Sequence, residues 1–229
     1  MLTLMRHGQA SFGTSHYDRL SPDGCAQAKA AGRFVLEQGR HFDLLCVGPR
    51  ERHRDTADLL LDAWGHAPAR QAEPALDEFA DSSSLVLERA PAAHVTAGGE
   101  PALGPRPRVQ LQQLLERIGA WADGELALRD GPTFREFRAR VGRWARERLR
   151  QDEEAASAGH ARHTLAVTSA GVIAATVCEL MDLPDSLFLP LVSQVRNASF
   201  TEFAMWRYRP VMVSFNGTAH LPAQLLTHI

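Results

Sequence analysis

Arg6, His7 and Gly8 follow directly on the apolar residues 2–5 that open this 229-residue chain. A neutral imidazole can attack phosphorus and carry a phosphoryl group as a covalent intermediate. A guanidinium beside it can grip the phosphate oxygens in bidentate fashion, and a glycine lets the backbone approach a ligand closely. A lone Arg-His-Gly tripeptide is also an ordinary polar turn. A second group changes the weight of the first: Arg50, Arg52 and Arg54 stand within the run GPRERHRDTADLL. Cations at the start of a helix oppose its dipole, so they need a reason, and an anion held by the helix N-terminus supplies one. The third place is Thr168-Ser169-Ala170-Gly171, small and polar, behind the apolar run LAV.

These three groups must be positioned by strands and helices. Residues 2–5 read as a buried strand. Ser21 is a plausible N-cap with Pro22 at the first helical position and Gly39 just past the end. Residues 44–47 make a second strand, closed by Gly48-Pro49. A helix from about 51 to 64 places Thr56, Leu59, Leu60 and Ala63 on one side. A longer helix from about 134 to 150 carries Phe134, Phe137, Val141, Trp144 and Leu149 at helical spacing. HTLAVTS reads as a strand and AGVIAATVCELMDL as a helix stopped by Pro184. The tail from 197 to 216 reads as two strands. Such alternation predicts an α/β fold with a central, mostly parallel mixed sheet flanked by helices on both faces. Reactive groups in such sheets sit beyond the carboxyl ends of the strands, where all three groups fall. Residues 80–132 differ: ADSSS, TAGGEPALGPRPR and RDGP interrupt amphipathic stretches around 84–90 and 109–128. They predict a helical and loop insert near the site within a single domain spanning 1–229.

Composition narrows the class. Hydrophobic residues make up 45% and charged residues 23%, so a sizeable core is available. Lys+Arg 25 against Asp+Glu 27 gives a net charge of −2, which argues against a dedicated nucleic-acid binder. Lys29 is the only lysine, which high-GC codon usage explains more cheaply than function does; even so, arginine is the better fork for phosphate. Cys25, Cys46 and Cys178 are too few and too scattered for a disulfide framework or a cysteine zinc site. No run approaches the ~18 apolar residues of a membrane span, and no signal peptide is evident. The expectation is a cytoplasmic protein without a metal. No Walker loop or G-x-G-x-x-G is present.

Four segments, in order, resemble those of the histidine phosphatase superfamily, also called the phosphoglycerate mutase-like family. LMRHGQASF is similar to its RHG signature. LSPDGCAQAKAAG is similar to the helix L-[ST]-x-x-G-x-x-Q-A-x-x-x-G. GPRERHRDTADLL is similar to S-P-x-x-R-A-x-Q-T-A-x-x-L, and LAVTSAGVIAA to V-S-H-G-G-V-I. The closing RNASFTEF and FNGTAHL also fit, which leaves only about 80–132 outside the resemblance. It implies a phosphatase with no cofactor, acting on a small phosphorylated substrate, without nucleic acid or membrane partners. His7 would be the nucleophile. Arg6 and Arg52 would clamp the phosphoryl oxygens, with Gly8 and Ser11 lining the phosphate. The acid that serves the leaving group follows the third strand, where ALDEFADS offers Asp77 and Glu78; the family's L-x-E pattern selects Glu78. His220 falls in the N-x-T-x-H-L ending, with a structural role.

The chain departs from the pattern at one decisive position. Ser169 stands where the family places its second histidine. A serine hydroxyl can still donate to a phosphoryl oxygen, but it is shorter and neutral, and losing one preorganised donor typically costs about 10²–10³ in rate. Three readings follow. Ser169 and neighbouring N–H groups at the helix start bind the oxyanion themselves; another histidine, with His53 nearest, rescues the site; or the protein is a weak or inactive phosphatase that binds phosphorylated ligands as a sensor or scaffold. A phosphoglycerate mutase is disfavoured, because FADSSS replaces the R-H-Y-G-x-L-x-G stretch of that branch.

Overall fold

The computed structural model describes residues 1–11, 18–80, 106–129 and 131–228. Six strands form one mixed sheet: β1 (Leu2–Arg6), β2 (Leu44–Val47), β3 (Ala69–Ala72), β4 (Thr164–Thr168), β5 (Phe200–Trp206) and β6 (Arg209–Gly217), in the order β3-β2-β4-β1-β5-β6. The pairs β1/β4, β2/β4 and β2/β3 are parallel, and β1/β5 and β5/β6 antiparallel. Among the described residues six helices cover the sheet: α1 (Pro22–Glu37), α2 (Glu51–Trp64), α3 (Arg106–Ala122), α4 (Phe134–Ser157), α5 (Ala170–Leu180) and α6 (Phe188–Gln194).

The period of two along each strand divides the core. Met5, Leu45, Val47, Leu165 and Val167 pack with α1 and α2 residues such as Ala31, Val35, Ala57 and Leu60. Leu2, Leu4, Cys46 and Ala166 face the other way, onto Trp121 of α3, Val141 and Leu149 of α4, Ile173 and Val177 of α5, and Phe188 of α6. Each central strand is therefore apolar on both faces, as a parallel sheet covered on both sides requires.

Local signals account for most helix ends. Ser21 caps α1 by accepting from the Gly24 N–H, with Pro22 behind it. Thr133 and Glu136 form a reciprocal capping box at the start of α4. That helix continues to Ser157, past the expected end near 150. Its last apolar core position is Leu149, but QDEEAAS contains no breaker, and Arg150 pairs with both Glu147 and Glu154 along it. In contrast α5 stops at Leu180, short of the expected 183, with Asp182 at a left-handed φ of 52° two residues before Pro184. Of the expected insert, the helical stretch near 109–128 is α3, ending at Ala122; the stretch at 84–90 lies outside the described residues.

Candidate active site

The carboxyl ends of β1, β2 and β4 bring the three groups together. Gly8 packs so tightly on α1 that a Cβ there would lie 2.4 Å from the Gly24 carbonyl oxygen. Its N–H donates to Thr56 Oγ1 at 3.0 Å. The Gly8 amide is thus engaged with α2, and its carbonyl holds His7. That carbonyl lies 2.6 Å from His7 Nδ1. A carbonyl only accepts, so Nδ1 carries the proton and Nε2 presents a lone pair. Arg52 Nε donates to that Nε2 at 3.1 Å. Burial first, then the charges of Arg52 and Arg6, hold the His7 pKa well below the usual histidine range. His7 is therefore neutral and basic at one atom, the state that a nucleophilic imidazole needs.

The three arginines of α2 part company. Arg52 turns inward, 4% exposed, and its NH1 donates to Asp18 Oδ1 at 2.5 Å. The other oxygen of Asp18 accepts from the Glu51 N–H at 2.8 Å, so one carboxylate both caps a helix whose N-cap side chain makes no capping bond and fixes the buried arginine. Arg50 reaches across to Asp77 Oδ1 at 2.5 Å and to the Glu78 carbonyl at 3.3 Å. Arg54 lies outside, on the Pro49 carbonyl. Arg6 stands at the end of β1, and its NH1 donates to the carbonyls of Val195 and His228. Ser11 donates its N–H to the Arg19 carbonyl at 2.8 Å, beside the Ala10–Leu20 bridge.

The adjacent acids are not equivalent. Asp77 is paired with Arg50, and its carbonyl accepts from Arg140 at 2.5 Å. Glu78 instead points at the start of α5: Oε2 accepts from the Gly171 N–H and Oε1 from the Phe79 N–H, each at 3.1 Å. A Cβ at Gly171 would lie 2.2 Å from Glu78 Oε1, so only glycine leaves room for it. Burial raises the Glu78 pKa, against the opposing pull of those N–H groups, Arg52 and Arg50. Arg52 thus acts electrostatically on both His7 and Glu78. Phe79 stacks on Trp121 of α3 at 4.3 Å and 17°, a contact worth about 0.5–1.5 kcal/mol beyond area burial, which fixes the Glu78 segment.

Ser169, 1% exposed, is the N-cap residue of α5 but makes no side-chain capping bond. Its Oγ lies 2.7 Å from His53 Nε2. His220 is structural in its contacts, donating from Nε2 to the Ala198 carbonyl at 3.0 Å between Phe34 and Phe200; burial lowers its pKa to about 4. Sequence reasoning missed Asp18, Thr56 and Arg140. Asp18 is 34 positions from Arg52 and Arg140 is 63 from Asp77, and no local spacing marks either one. Among the described residues no group of three or more His, Cys, Asp or Glu is arranged to hold a metal, and no helix is long and apolar enough to cross a membrane.

Comparison with solved structures returns the same fold. Bacillus stearothermophilus YhfR superposes with a TM-score of 0.67 at 14% identity, covering 96% of this chain and 98% of that one. A mycobacterial glucosyl-3-phosphoglycerate phosphatase in complex with VO3 gives 0.64 at 22%, covering 95% and 99%. The alpha-ribazole phosphatase from Shigella flexneri gives 0.60 at 21%, covering 94% and 96%. A comparison with proteins of curated function gives no match. The sequence profile described as histidine phosphatase superfamily (branch 1) matches residues 2–218, nearly the whole chain, and the chain belongs to that family.

Proposed function

We propose that this protein is a phosphomonoester hydrolase that works through a phosphohistidine on a small phosphorylated substrate in the cytoplasm. The observation that carries the reading is the state of His7: Nδ1 is occupied by the Gly8 carbonyl, and the Nε2 lone pair faces a buried arginine. In-line attack forms the Nε2–P bond as the P–O bond to the leaving group breaks. Arg52 moves its Nε–H from His7 to a phosphoryl oxygen, and Arg6, Ser169 and Ser11 complete the anion pocket. Glu78 protonates the leaving oxygen, then takes a proton from the water that cleaves the N–P bond. Its raised pKa suits it to start as the acid, whereas Asp77 is turned away into its pair with Arg50. Two of the three solved structures named above carry phosphatase names, in keeping with this reaction class. Helix α3, the described helix of the expected insert, belongs to the same domain and lies at the pocket's rim, a reading supported by the stacking of Trp121 on Phe79.

The test is hydrolysis of p-nitrophenyl phosphate across pH 4–8 beside His7→Ala, with the acid-labile phosphohistidine trapped by rapid denaturation and read by phosphorus NMR. Turnover and the trapped signal are both expected to vanish in His7→Ala. Turnover that survives it overturns the mechanism. A parent that binds vanadate without turning over substrate favours the sensor reading, which draws on Ser169 standing in the place of a histidine.

A further inference from the structure

We infer that Arg140 of α4 is a specificity-determining residue: its guanidinium, beside that of Arg50, selects phosphate esters whose leaving alcohol itself carries an anionic group, a carboxylate or a second phosphate. The inference rests on the phosphatase reading and adds a substrate class to it. Glu78 serves the leaving oxygen, so the groups packed around Glu78 are the ones that the leaving group meets.

Two guanidinium groups converge on the Asp77–Glu78 segment from different elements. Arg50, the N-cap residue of α2, donates to Asp77 Oδ1 and to the Glu78 carbonyl. Arg140, 63 positions from Asp77 in sequence, donates from NH2 to the Asp77 carbonyl at 2.5 Å. Its guanidinium carbon lies 5.2 Å from the centroid of the Phe137 ring, and that ring meets Phe79 edge-on at 5.4 Å. Phe79 is the residue after the acid, so this aromatic contact seats Arg140 against the segment that carries Glu78.

The countercharge on this side is one carboxylate for two cations. Asp77 pairs with Arg50. Arg140 has a carbonyl where Arg50 has a carboxylate, and its Nε is buried without a hydrogen-bond partner among the described residues. Glu78, in its role as the acid, starts protonated and balances neither. Arg52 does not share Asp77, because Asp18 already matches it. Burial lowers the Arg140 pKa, and the charges of Asp77 and Glu78 do not restore it. A fully exposed arginine would gain little from an added partner. Arg140 is half-buried, and a charge partly out of water depends on the anion it meets. A carboxylate or a phosphate on the leaving group supplies that anion, with oxygens spaced for the guanidinium fork.

Three small esters test this: phosphoglycolate and ethylene glycol bisphosphate, whose leaving groups are anionic, and ethylene glycol monophosphate, whose leaving group is neutral. The parent is expected to show a kcat/KM about 30-fold higher for the better anionic ester than for the neutral one, the scale of one charge-assisted hydrogen-bonded pair. Which anionic ester leads tells a carboxylate from a phosphate. Arg140→Met is expected to bring the ratio near one, with Arg140→Lys between it and the parent. Asp77→Asn is expected to move the ratio the other way, because it removes the negative charge that competes with the substrate for Arg50. Each ratio is read on one preparation, so a loss of folded protein does not move it. A ratio near one in the parent, an unchanged ratio in Arg140→Met, or a fall in Asp77→Asn overturns the inference. A parent that turns over none of the three overturns the phosphatase reading instead. The Kd values of phosphoglycolate and ethylene glycol monophosphate, from calorimetry on the parent and Arg140→Met, then decide the inference by the same ratio.

Discussion

Helices α2 and α5 both begin at the pocket, and they begin in opposite ways. The first turn of α2 carries Arg52 and Arg54 directly behind the N-cap Arg50, all of the wrong sign for a helix dipole. It is tolerable because Asp18 and Asp77 lie against Arg52 and Arg50. The first turn of α5 carries no charge of its own, and its Gly171 N–H receives the carboxylate of Glu78, the sign that the dipole favours. The difference divides the labour of the site. The α2 side holds charge against charge and suits a transferring phosphoryl group. The α5 side holds one acid in a desolvated place, where its proton is retained to higher pH. His53 and Ser169 join the two sides.

Variants on the two sides should fail differently. The largest effect belongs to the α2 side: Arg52→Lys keeps a charge but loses the fork that spans His7 and Asp18. It is expected to lower kcat/KM by about 10²–10³ for every phosphate ester tried, whatever the leaving group. Steady-state kinetics on a nitrophenyl and an alkyl phosphate check it; a loss confined to the alkyl ester would erase the distinction.

Glu78→Gln comes next and should discriminate. An alkoxide needs a proton to leave and a nitrophenolate hardly does, so the alkyl ester is expected to lose about 10²-fold or more while the nitrophenyl ester loses less than about 10-fold. Gly171→Ala should follow the same pattern with Glu78 intact, because a methyl group there occupies the position of its Oε1. A Gly171→Ala enzyme with unchanged alkyl turnover would show that Glu78 works from another position.

The pH profile sharpens the same contrast. Activity rises with pH as His7 loses its proton, at a pKa held well below 6.5. It falls as Glu78 loses its own, at a pKa raised above 4.5. The kcat/KM profile on the alkyl ester is thus expected to be a bell, with its acid limb below 6.5 and its alkaline limb above 4.5, and Glu78→Gln should remove its alkaline limb alone. The smallest effect is Asp77→Asn, which breaks the partly exposed pair with Arg50; about 1 kcal/mol of stability or less, and turnover within a few-fold, are expected from denaturation and the same assays. If Asp77→Asn shows the leaving-group pattern and Glu78→Gln does not, the two acids exchange roles.

Much of the frame was legible in the chain. Ser21-Pro22 and the apolar period of α4 mark helices because caps and periodicity are local, and residues 44–47 mark a strand because both faces are buried. The strand β3 was not: Ala69-Arg70-Gln71-Ala72 is exposed throughout and has no strand signal, and it is extended because it pairs with β2. In the site, the motif resemblance points to His7 and Arg52 as candidates, and the structure brings the two into contact through Arg52 Nε. The turn of the Gly8 N–H to Thr56 was not legible, because it follows from the close approach of α1 and α2.

By itself, the sequence determined that an imidazole and several arginines stand at the ends of strands in an α/β chain, since strand ends and helix starts are set by neighbours a few residues away. The family resemblance singles out Glu78 and Arg52; only the tertiary structure decided that Glu78 faces α5 at the Gly171 N–H, that Arg52 turns inward onto Asp18, and that Ser169 meets His53. Those outcomes depend on how helices on one face of the sheet seat against loops built 30 to 120 positions away, and that seating is settled by packing, where local propensity carries no information.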